Sequence, residues 1–347
     1  MNIKKILLII LAVVIIVGLG VAIGIGGFKR NKSNAKYKVV VSNFASYDFL
    51  RAIIGDNDDV ELTFLMGPGK DAHSYDPTAQ DLVKIQEADL FVYVGGEMEK
   101  WSDKVLDSLE TDEIDIMCIA DYVNTIDEKE VDGAEEHEHD HDEEEEHNEE
   151  HEEEEHDHEH EEEEHDHEHE KGAFDEHIWT SPDNAIKMVN ALEKEMEKID
   201  SENSDLYKKN AENYISKIKD VDSKIQNIVD NKVRNRLVFA DKMPMQYFID
   251  YYKLEVSAAF DGCSTETDPS AKTIAYLQNK IKDEKIPVVL YIELNPGTVA
   301  KTIADETGAE AMQIQALHNV SLDDFENGET WVSLMTRNIE VLKKALQ

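Results

Sequence analysis

The stretch ADLFVYVGGEMEKWSDKVLDS, residues 88–108, carries the pattern that decides the fold. Its first part, Ala88–Gly95, is apolar at every position but Asp89, which is typical of a strand buried inside a parallel sheet. Two glycines end that strand, and Met98–Ser108 then has the spacing of a helix. A buried strand followed closely by a helix is the repeating unit of α/β proteins.

The same alternation recurs before and after this stretch, in two halves separated by a long helical segment. We therefore predict an α/β fold of two doubly wound parallel-sheet lobes joined by a long rigid helix. The predicted boundaries are an N-terminal lobe at 37–182, linking helices at 183–231 and a C-terminal lobe at 233–347. The predicted strands are 37–43, 61–66, 88–95, 114–120, 236–240, 254–260, 288–292 and 311–315, and the predicted helices are 78–86, 98–108, 182–198, 204–230, 245–252, 270–284, 298–307 and 331–345.

Length and charge exclude several classes of protein. A chain of 347 residues is too long for one compact core and suits two. Its 77 acidic and 35 basic residues give a formal net charge of −42. Such a charge argues against nucleic-acid binding, which depends on Lys and Arg neutralising phosphates. Two cysteines are too few for a disulfide framework or a cysteine-based zinc site.

Residues 1–30 form a predicted signal or anchor segment. The uncharged apolar run Ile6–Phe28 is long enough to span a bilayer, and basic residues flank it on both sides. Two interpretations remain open: an uncleaved anchor, or a signal peptide cleaved after Ala22. We expect the protein on the extracellular face of the cytoplasmic membrane if the segment is retained, and in a periplasm-equivalent space or secreted if it is cleaved.

Residues 127–171 differ from the rest of the chain in composition. Within them, positions 135–170 hold 24 acidic residues, 11 histidines and one asparagine. A segment with so few apolar residues cannot bury enough surface to order itself, so we predict a disordered surface insert. Its imidazoles predict a low-affinity loop that scavenges and buffers metal, and the alternative is a solvated acidic linker without function. The histidines of the insert are His137, His139, His141, His147, His151, His156, His158, His160, His165, His167 and His169.

The three remaining histidines, His73, His177 and His318, each lie in a loop after a predicted strand. Ligands of open α/β sheets bind beyond the carboxyl ends of strands, so two facing lobes could bring these three side chains into one cleft. Three imidazoles with a carboxylate or a water form a usual zinc site. The predicted fourth ligand is Asp241, which could instead cap a helix, and the alternative fourth ligand is Glu293.

Several motifs together resemble the ABC-transporter solute-binding proteins that capture zinc or manganese. The resemblance covers nearly everything after residue 37 and is carried by HSYDPTAQD (73–81), ADLFVYVGGEMEKW (88–101), the acidic insert, DEHIWTSP (175–182), Tyr247-Phe248, Ile292-Glu293 and ETGA (306–309). It implies a metal site in the cleft between two lobes and delivery to a separate permease and ATPase. We expect the protein to be a monomer.

The resemblance also implies roles for individual residues. His73 and His177 match the two metal ligands of the first lobe in this family. The family's third ligand, a His or Glu, falls near residues 241–244, where this chain has no histidine and Asp241 is a substitute by proximity. The fourth position of the family falls at His318.

A site with three histidines favours Zn²⁺, although Mn²⁺ or mixed divalent binding remains open. Two other functions are considered beside metal capture. A metalloenzyme would need Glu176 or Glu293 as its general base, and the chain has no zincin helix signature, so we expect no enzyme activity. A zinc-buffering protein would place the function in the insert and use the lobes as a scaffold.

Overall fold

The computed structural model describes residues 35–109, 114–134, 174–262, 264 and 268–347. Residues Tyr37–Gln347 belong to one compact unit. The predicted anchor and the eleven histidines of the insert lie outside the described residues. In the part of the chain that is described, no helix is both long enough and apolar enough to cross a membrane.

The first lobe is built from four strands and three helices: β1 (Tyr37–Val41), α1 (Phe44–Ile54), β2 (Val60–Phe64), α2 (Ala79–Gln86), β3 (Leu90–Tyr93), α3 (Trp101–Ser108) and β4 (Asp115–Cys118). The strands are parallel and lie in the order β2-β1-β3-β4. The chain thus leaves β1 in one direction to form β2 and returns past it to form β3, as doubly wound sheets do. Val39 in the central strand pairs with Leu62 and Leu90 and is completely buried.

Helix α1 is absent from the sequence prediction. The side chain of Asn43 caps it by accepting a hydrogen bond of 2.9 Å from the backbone N–H of Ser46. Phe49, Leu50 and Ile53 lie on its inner face and are completely buried. An asparagine cap followed by apolar residues at helical spacing is a readable signal, so this helix could have been predicted.

Two helices, α4 (Pro182–Ile199) and α5 (Ser204–Asp230), follow the first lobe in the chain. Ser181 caps α4 and Pro182 occupies its first turn, which is the favourable order for a helix start. Helix α5 has 27 residues and packs against α1 and α4. Its buried face recurs every three or four residues and includes Tyr207, Ala211, Tyr214, Ile218, Val221 and Ile225.

The second lobe repeats the plan of the first with four strands and five helices: β5 (Arg236–Met243), α6 (Gln246–Tyr252), β6 (Glu255–Asp261), α7 (Ala271–Glu284), β7 (Val288–Ile292), α8 (Thr298–Thr307), β8 (Glu310–Ile314), α9 (Leu322–Glu326) and α10 (Trp331–Leu346). Its strands are parallel in the order β6-β5-β7-β8, the same order as in the first sheet. The predicted fold class, two parallel-sheet α/β lobes with a long helix between them in the chain, is confirmed.

The segment before the insert crosses to the second lobe. Asp132 forms a parallel bridge with Ser257 on the edge strand β6, and its carbonyl accepts a hydrogen bond of 3.1 Å from the N–H of Ala258. Asp127 forms an antiparallel bridge with Phe174 on the far side of the insert. The structure therefore differs from the predicted disorder at residues 127–134. Composition does not show these partners, because the backbone hydrogen bonds come from a distant strand.

One buried carboxylate joins three helices that are distant in the sequence. Asp48 on α1 is completely buried, and its Oδ2 accepts hydrogen bonds from the hydroxyl of Tyr214 on α5 and the N–H of Trp331 on α10. Arg51 donates to Oδ1 at 2.6 Å. Burial raises the pKa of Asp48, and Arg51 with the other donors opposes that rise. The carboxylate thus ties the first lobe to the long helix and to the end of the chain.

Replacing Asp48 by Ala should lower the free energy of unfolding by about 3 kcal/mol, because Tyr214, Trp331 and Arg51 would lose their shared acceptor. Urea unfolding followed by circular dichroism measures this loss. The matched control is Asp220→Ala, which removes an exposed carboxylate paired with Lys224 and should cost under about 0.5 kcal/mol. Equal losses in the two variants would contradict the role of Asp48.

Candidate metal centre

Three histidines that are distant in the sequence lie side by side in the structure. His73 lies in a turn after β2, His177 precedes the helical turn that leads into α4, and His318 follows β8. The ring centroids are 5.7 Å apart for His73 and His177, 4.7 Å for His73 and His318, and 5.4 Å for His177 and His318. One ligand atom from each residue lies within 4.8 Å of the other two. That spacing lets one small cation contact all three.

The Nε2 atoms of these histidines have no hydrogen-bond partner among the described residues, and all three are buried. A buried polar atom without a partner is costly, and a native protein tolerates it where a ligand will satisfy it. Three such atoms in one place point to one shared ligand. A divalent cation that accepts three imidazole lone pairs fits this donor set.

Two of the three rings are held by the same local motif, an aspartate two residues before the histidine. The Oδ1 of Asp71 accepts from the backbone N–H of His73 at 2.9 Å and lies 3.4 Å from its Nδ1. The Oδ1 of Asp175 does the same for His177, at 2.8 Å and 3.0 Å. A carboxylate beside Nδ1 requires the proton there, so the Nε2 lone pair is left for the metal.

The electrostatics keep the three rings from all being charged. Burial lowers the pKa of His73. Burial and the neighbouring His73 and His177 hold the pKa of His318 well below its usual value. Burial also disfavours the charged form of His177, but the carboxylate of Asp175 outweighs it and raises the pKa of that ring. Neutral imidazole is the form that binds a metal, so His73 and His318 are held in the binding form, and binding displaces any proton that His177 carries.

Two tryptophans link the loops that carry His177 and His318. The indole of Trp179 donates to the carbonyl of Ala316 at 3.0 Å, and the indole of Trp331 donates to the carbonyl of Trp179 at 2.9 Å. Both indoles are buried. The two histidine loops therefore share one rigid apolar support that spans the two halves of the chain.

Glu293, the alternative fourth ligand, shapes the His318 loop. Its two oxygens accept from the backbone N–H groups of Ala316 and His318 at 2.8 and 2.7 Å. Between these residues, Leu317 has a left-handed backbone with φ of 60°, which costs energy in a residue with a β-carbon. The pKa of Glu293 is raised to about 7 by burial. Glu293 is not part of the group of three histidines.

Asp241, the predicted fourth ligand, also lies outside that group. Its carboxylate accepts from the backbone N–H of Lys242 at 2.8 Å and of Ile292 at 3.3 Å. It does not cap the following helix, because α6 begins at Gln246 and Met245 occupies its cap position. Asp241 instead joins the ends of the neighbouring strands β5 and β7.

A cavity of about 460 Å³ lies beside His318. It collects residues from both lobes, and the sequence analysis did not single out Asp71 and Lys242 among them. An aspartate stands two residues before His73, as another does before His177, and this shared spacing could have pointed to Asp71. No sequence signal identifies Lys242, whose place depends on an irregularity in β5. The lining residues are Gly69, Asp71, Asp241, Lys242, Asp268, Ile292, Glu293, Leu294, Asn295, Pro296, Thr298, Val299 and His318.

Comparison with known proteins gives one matching family. The model of the family described as zinc-uptake complex component A, periplasmic, matches residues 39–345. The zinc-binding protein AdcA of Streptococcus pyogenes is 29% identical over 320 residues, which are 91% of this chain and 57% of the relative. The chain therefore spans little more than half the length of that relative. The high-affinity zinc uptake system protein ZnuA of Bacillus subtilis is 29% identical over 311 residues, 90% of this chain and 88% of that protein.

Solved structures share the fold. The Zn(II)-bound ZnuA-like domain of Streptococcus pneumoniae AdcA superposes with a TM-score of 0.69 at 24% identity, covering 90% of this chain and 99% of the domain. A Cd-bound periplasmic metal binding protein from Candidatus Liberibacter asiaticus gives a TM-score of 0.66 at 19% identity, covering 89% of this chain and all of that one.

Replacing Asp175 by Asn should weaken zinc binding by about 10- to 100-fold, because the amide no longer holds the Nδ1 proton of His177 with a full charge. Competition with a fluorescent zinc chelator measures the dissociation constant. Asp183→Asn is the matched control, since that exposed carboxylate pairs with Lys187 on α4. An unchanged dissociation constant in Asp175→Asn would contradict the orienting role.

Another buried carboxyl group, that of Glu99, supports the turn after β3. The Oε2 of Glu99 accepts from the backbone N–H groups of Val94 and Gly95 at 2.5 and 3.1 Å. Burial raises the pKa of Glu99 to about 7. Because the folded protein then holds this proton more tightly than the unfolded chain does, Glu99 costs the fold stability as pH rises from about 4.5 to about 7.

Replacing Glu99 by Gln should remove that cost. Between pH 5 and pH 8, the free energy of unfolding of the variant should rise relative to that of the wild type by up to about 3 kcal/mol. Urea unfolding of both proteins across this pH range tests the expectation. Glu97→Gln is the control, because this exposed neighbour pairs with Lys100 at the surface. Parallel pH profiles for wild type and Glu99→Gln would contradict it.

Proposed function

Because the chain belongs to the family described as zinc-uptake complex component A, periplasmic, we propose that it is the solute-binding component of a metal ABC transporter. It captures Zn²⁺ outside the cytoplasm and delivers the ion to a membrane permease driven by an ATPase. It makes and breaks no covalent bond. The ion is its cargo, and the protein's work is binding and release.

The observation that carries this proposal is the meeting of three buried Nε2 atoms without hydrogen-bond partners among the described residues. We propose His73, His177 and His318 as the protein ligands of the ion. Three neutral nitrogen donors favour Zn²⁺ over Mn²⁺, which prefers oxygen. Mn²⁺ or another divalent ion is the alternative cargo, and it would gain less from this donor set.

The carboxylates near the site support the fold of its loops. To reach a metal, Asp241 or Glu293 would have to give up hydrogen bonds from backbone N–H groups. Glu176, the candidate base of a hydrolytic enzyme, accepts a hydrogen bond of 3.1 Å from the N–H of Met98. These hydrogen bonds favour structural roles for the three acidic residues. They therefore support a binding protein in preference to an enzyme.

The remaining parts of the chain fit the same proposal. The segment 1–30 holds the protein at the outer face of the cytoplasmic membrane, or directs its export if it is cleaved. The histidines of the insert scavenge zinc at low affinity and keep it near the cleft. The protein works as a monomer that docks on its permease.

Competitive zinc titration of residues 34–347 lacking positions 135–170 tests the proposal. This deletion spares residues 127–134, which contact the second lobe. We expect one tight zinc ion in the deleted protein, and a loss of affinity of at least about 100-fold in His73→Ala, His177→Ala and His318→Ala. Asp220→Ala, at an exposed position on α5, should bind like the parent. If the deleted protein binds no tight zinc, the function lies in the insert and buffering becomes the better proposal.

A further inference from the structure

The strand β5 ends in an irregularity beside the metal centre. Its pairing with β6 is regular from Arg236 to Phe239 and resumes at Lys242 after a shift of register. In a regular strand, consecutive side chains point to opposite faces of the sheet, and a bulge changes that alternation. Asp241 and Lys242, although consecutive, both line the cavity beside His318.

Lys242 is a buried cation at a site built to bind a cation. Its side chain is 8% exposed, and its Nζ lies 3.3 Å from the Oδ2 of Asp71. The other oxygen of Asp71 lies 3.4 Å from the Nδ1 of His73. One carboxylate from the first lobe therefore stands between an imidazole of the metal site and an ammonium from the second lobe.

The cavity beside His318 is lined by one basic and four acidic side chains among the described residues. Lys242 is the only Lys or Arg among the described residues that line the cavity, and it pairs with Asp71. Asp241 and Glu293 direct their oxygens to backbone N–H groups. Three of the four acidic side chains that line the cavity are thus engaged by other groups, Asp268 being the fourth, and a positive charge lies one carboxylate away from His73.

We propose that Lys242 sets the affinity of the metal site and leaves the fourth coordination position of the bound ion to a ligand from solvent, a water or a small anion. This inference rests on the proposed function. Tetrahedral zinc held by three protein ligands keeps one exchangeable position. The ammonium lowers the affinity through repulsion and favours a negatively charged fourth ligand.

The consequence is a site suited to release. An ion with three protein ligands has an exchangeable fourth position. A ligand of the receiving protein can bind the ion at that position before the imidazoles dissociate. The buried ammonium beyond Asp71 also speeds dissociation of the ion, because it raises the free energy of the bound state.

The first test compares Lys242→Met with Lys242→Arg in the protein of residues 34–347 lacking positions 135–170. Methionine keeps an unbranched side chain and removes the charge, so zinc should bind at least about tenfold more tightly and leave more slowly. The ion pair of Lys242 with Asp71 contributes little to stability, because Asp71 is half exposed. Losing it in Lys242→Met therefore does not turn the expected gain in zinc affinity into a loss. Arginine keeps the charge and should stay within about threefold of the parent.

The second test follows the open coordination position directly. Co²⁺ replaces zinc, and its visible absorption spectrum reports the number and kind of its ligands. Addition of azide should shift the spectrum of the parent protein, because the anion replaces the solvent ligand. A weaker response is expected in Lys242→Met, where the ammonium that favours an anion is gone.

The outcomes separate this inference from the proposed function. If the parent protein itself binds no tight zinc, the proposed function fails. If the parent binds zinc but Lys242→Met binds it equally or more weakly, or azide leaves the Co²⁺ spectrum of the parent unchanged, the role of Lys242 is overturned while the function stands. Thermal unfolding of the metal-free variants identifies a folding defect, and if Lys242→Met has one, the azide response of the parent protein decides the inference.

Discussion

Three imidazole nitrogens are buried together without hydrogen-bond partners among the described residues, and much of the surrounding structure serves to keep them so. Left alone, each would cost the fold the free energy of an unsatisfied polar atom. The protein tolerates this because His73, His177 and His318 converge on a point that one cation can satisfy. In the proposed function, capture of the ion relieves a cost that folding has already incurred.

The supports of these three rings are of different kinds. His73 and His177 are each held by an aspartate two residues earlier in the chain, which contacts their backbone N–H and Nδ1, so the orientation of both rings is set locally in the turn. His318 depends on distant residues, because Glu293 holds the backbone of its loop. Trp179 then joins the His177 turn to the His318 loop through its indole hydrogen bond. The geometry of the centre therefore depends on both halves of the chain being folded together.

The two lobes have the same strand order although their sequences show no convincing repeat. What they share is the physical plan of a doubly wound sheet, in which loops at the carboxyl ends of the strands carry the ligands. The first lobe uses the loop after β2 and the second uses the loop after β8, while the ends of β5 and β7 line the cavity beside His318. The long helix α5 and the buried Asp48 connect these halves away from the site.

The sequence by itself determined the fold class, most of the strands and helices, and the three histidines as a group, because buried strands, helix caps and the scarcity of histidine outside the insert are local patterns. The helix α1 was readable in the same way from Asn43 and the apolar residues after it. The contacts of Asp127 and Asp132 were not readable, since their partners lie on other segments of the chain.

Only the tertiary structure decided what surrounds the three rings. Asp241 and Glu293 look like metal ligands in the sequence because each carboxylate follows a strand, yet both are engaged by backbone N–H groups of neighbouring elements. Lys242 looks like an ordinary surface residue, yet a shift of register in β5 places it in the cavity opposite Asp71. The direction of a side chain at the end of a strand depends on pairing with other strands, and sequence spacing carries no record of that pairing.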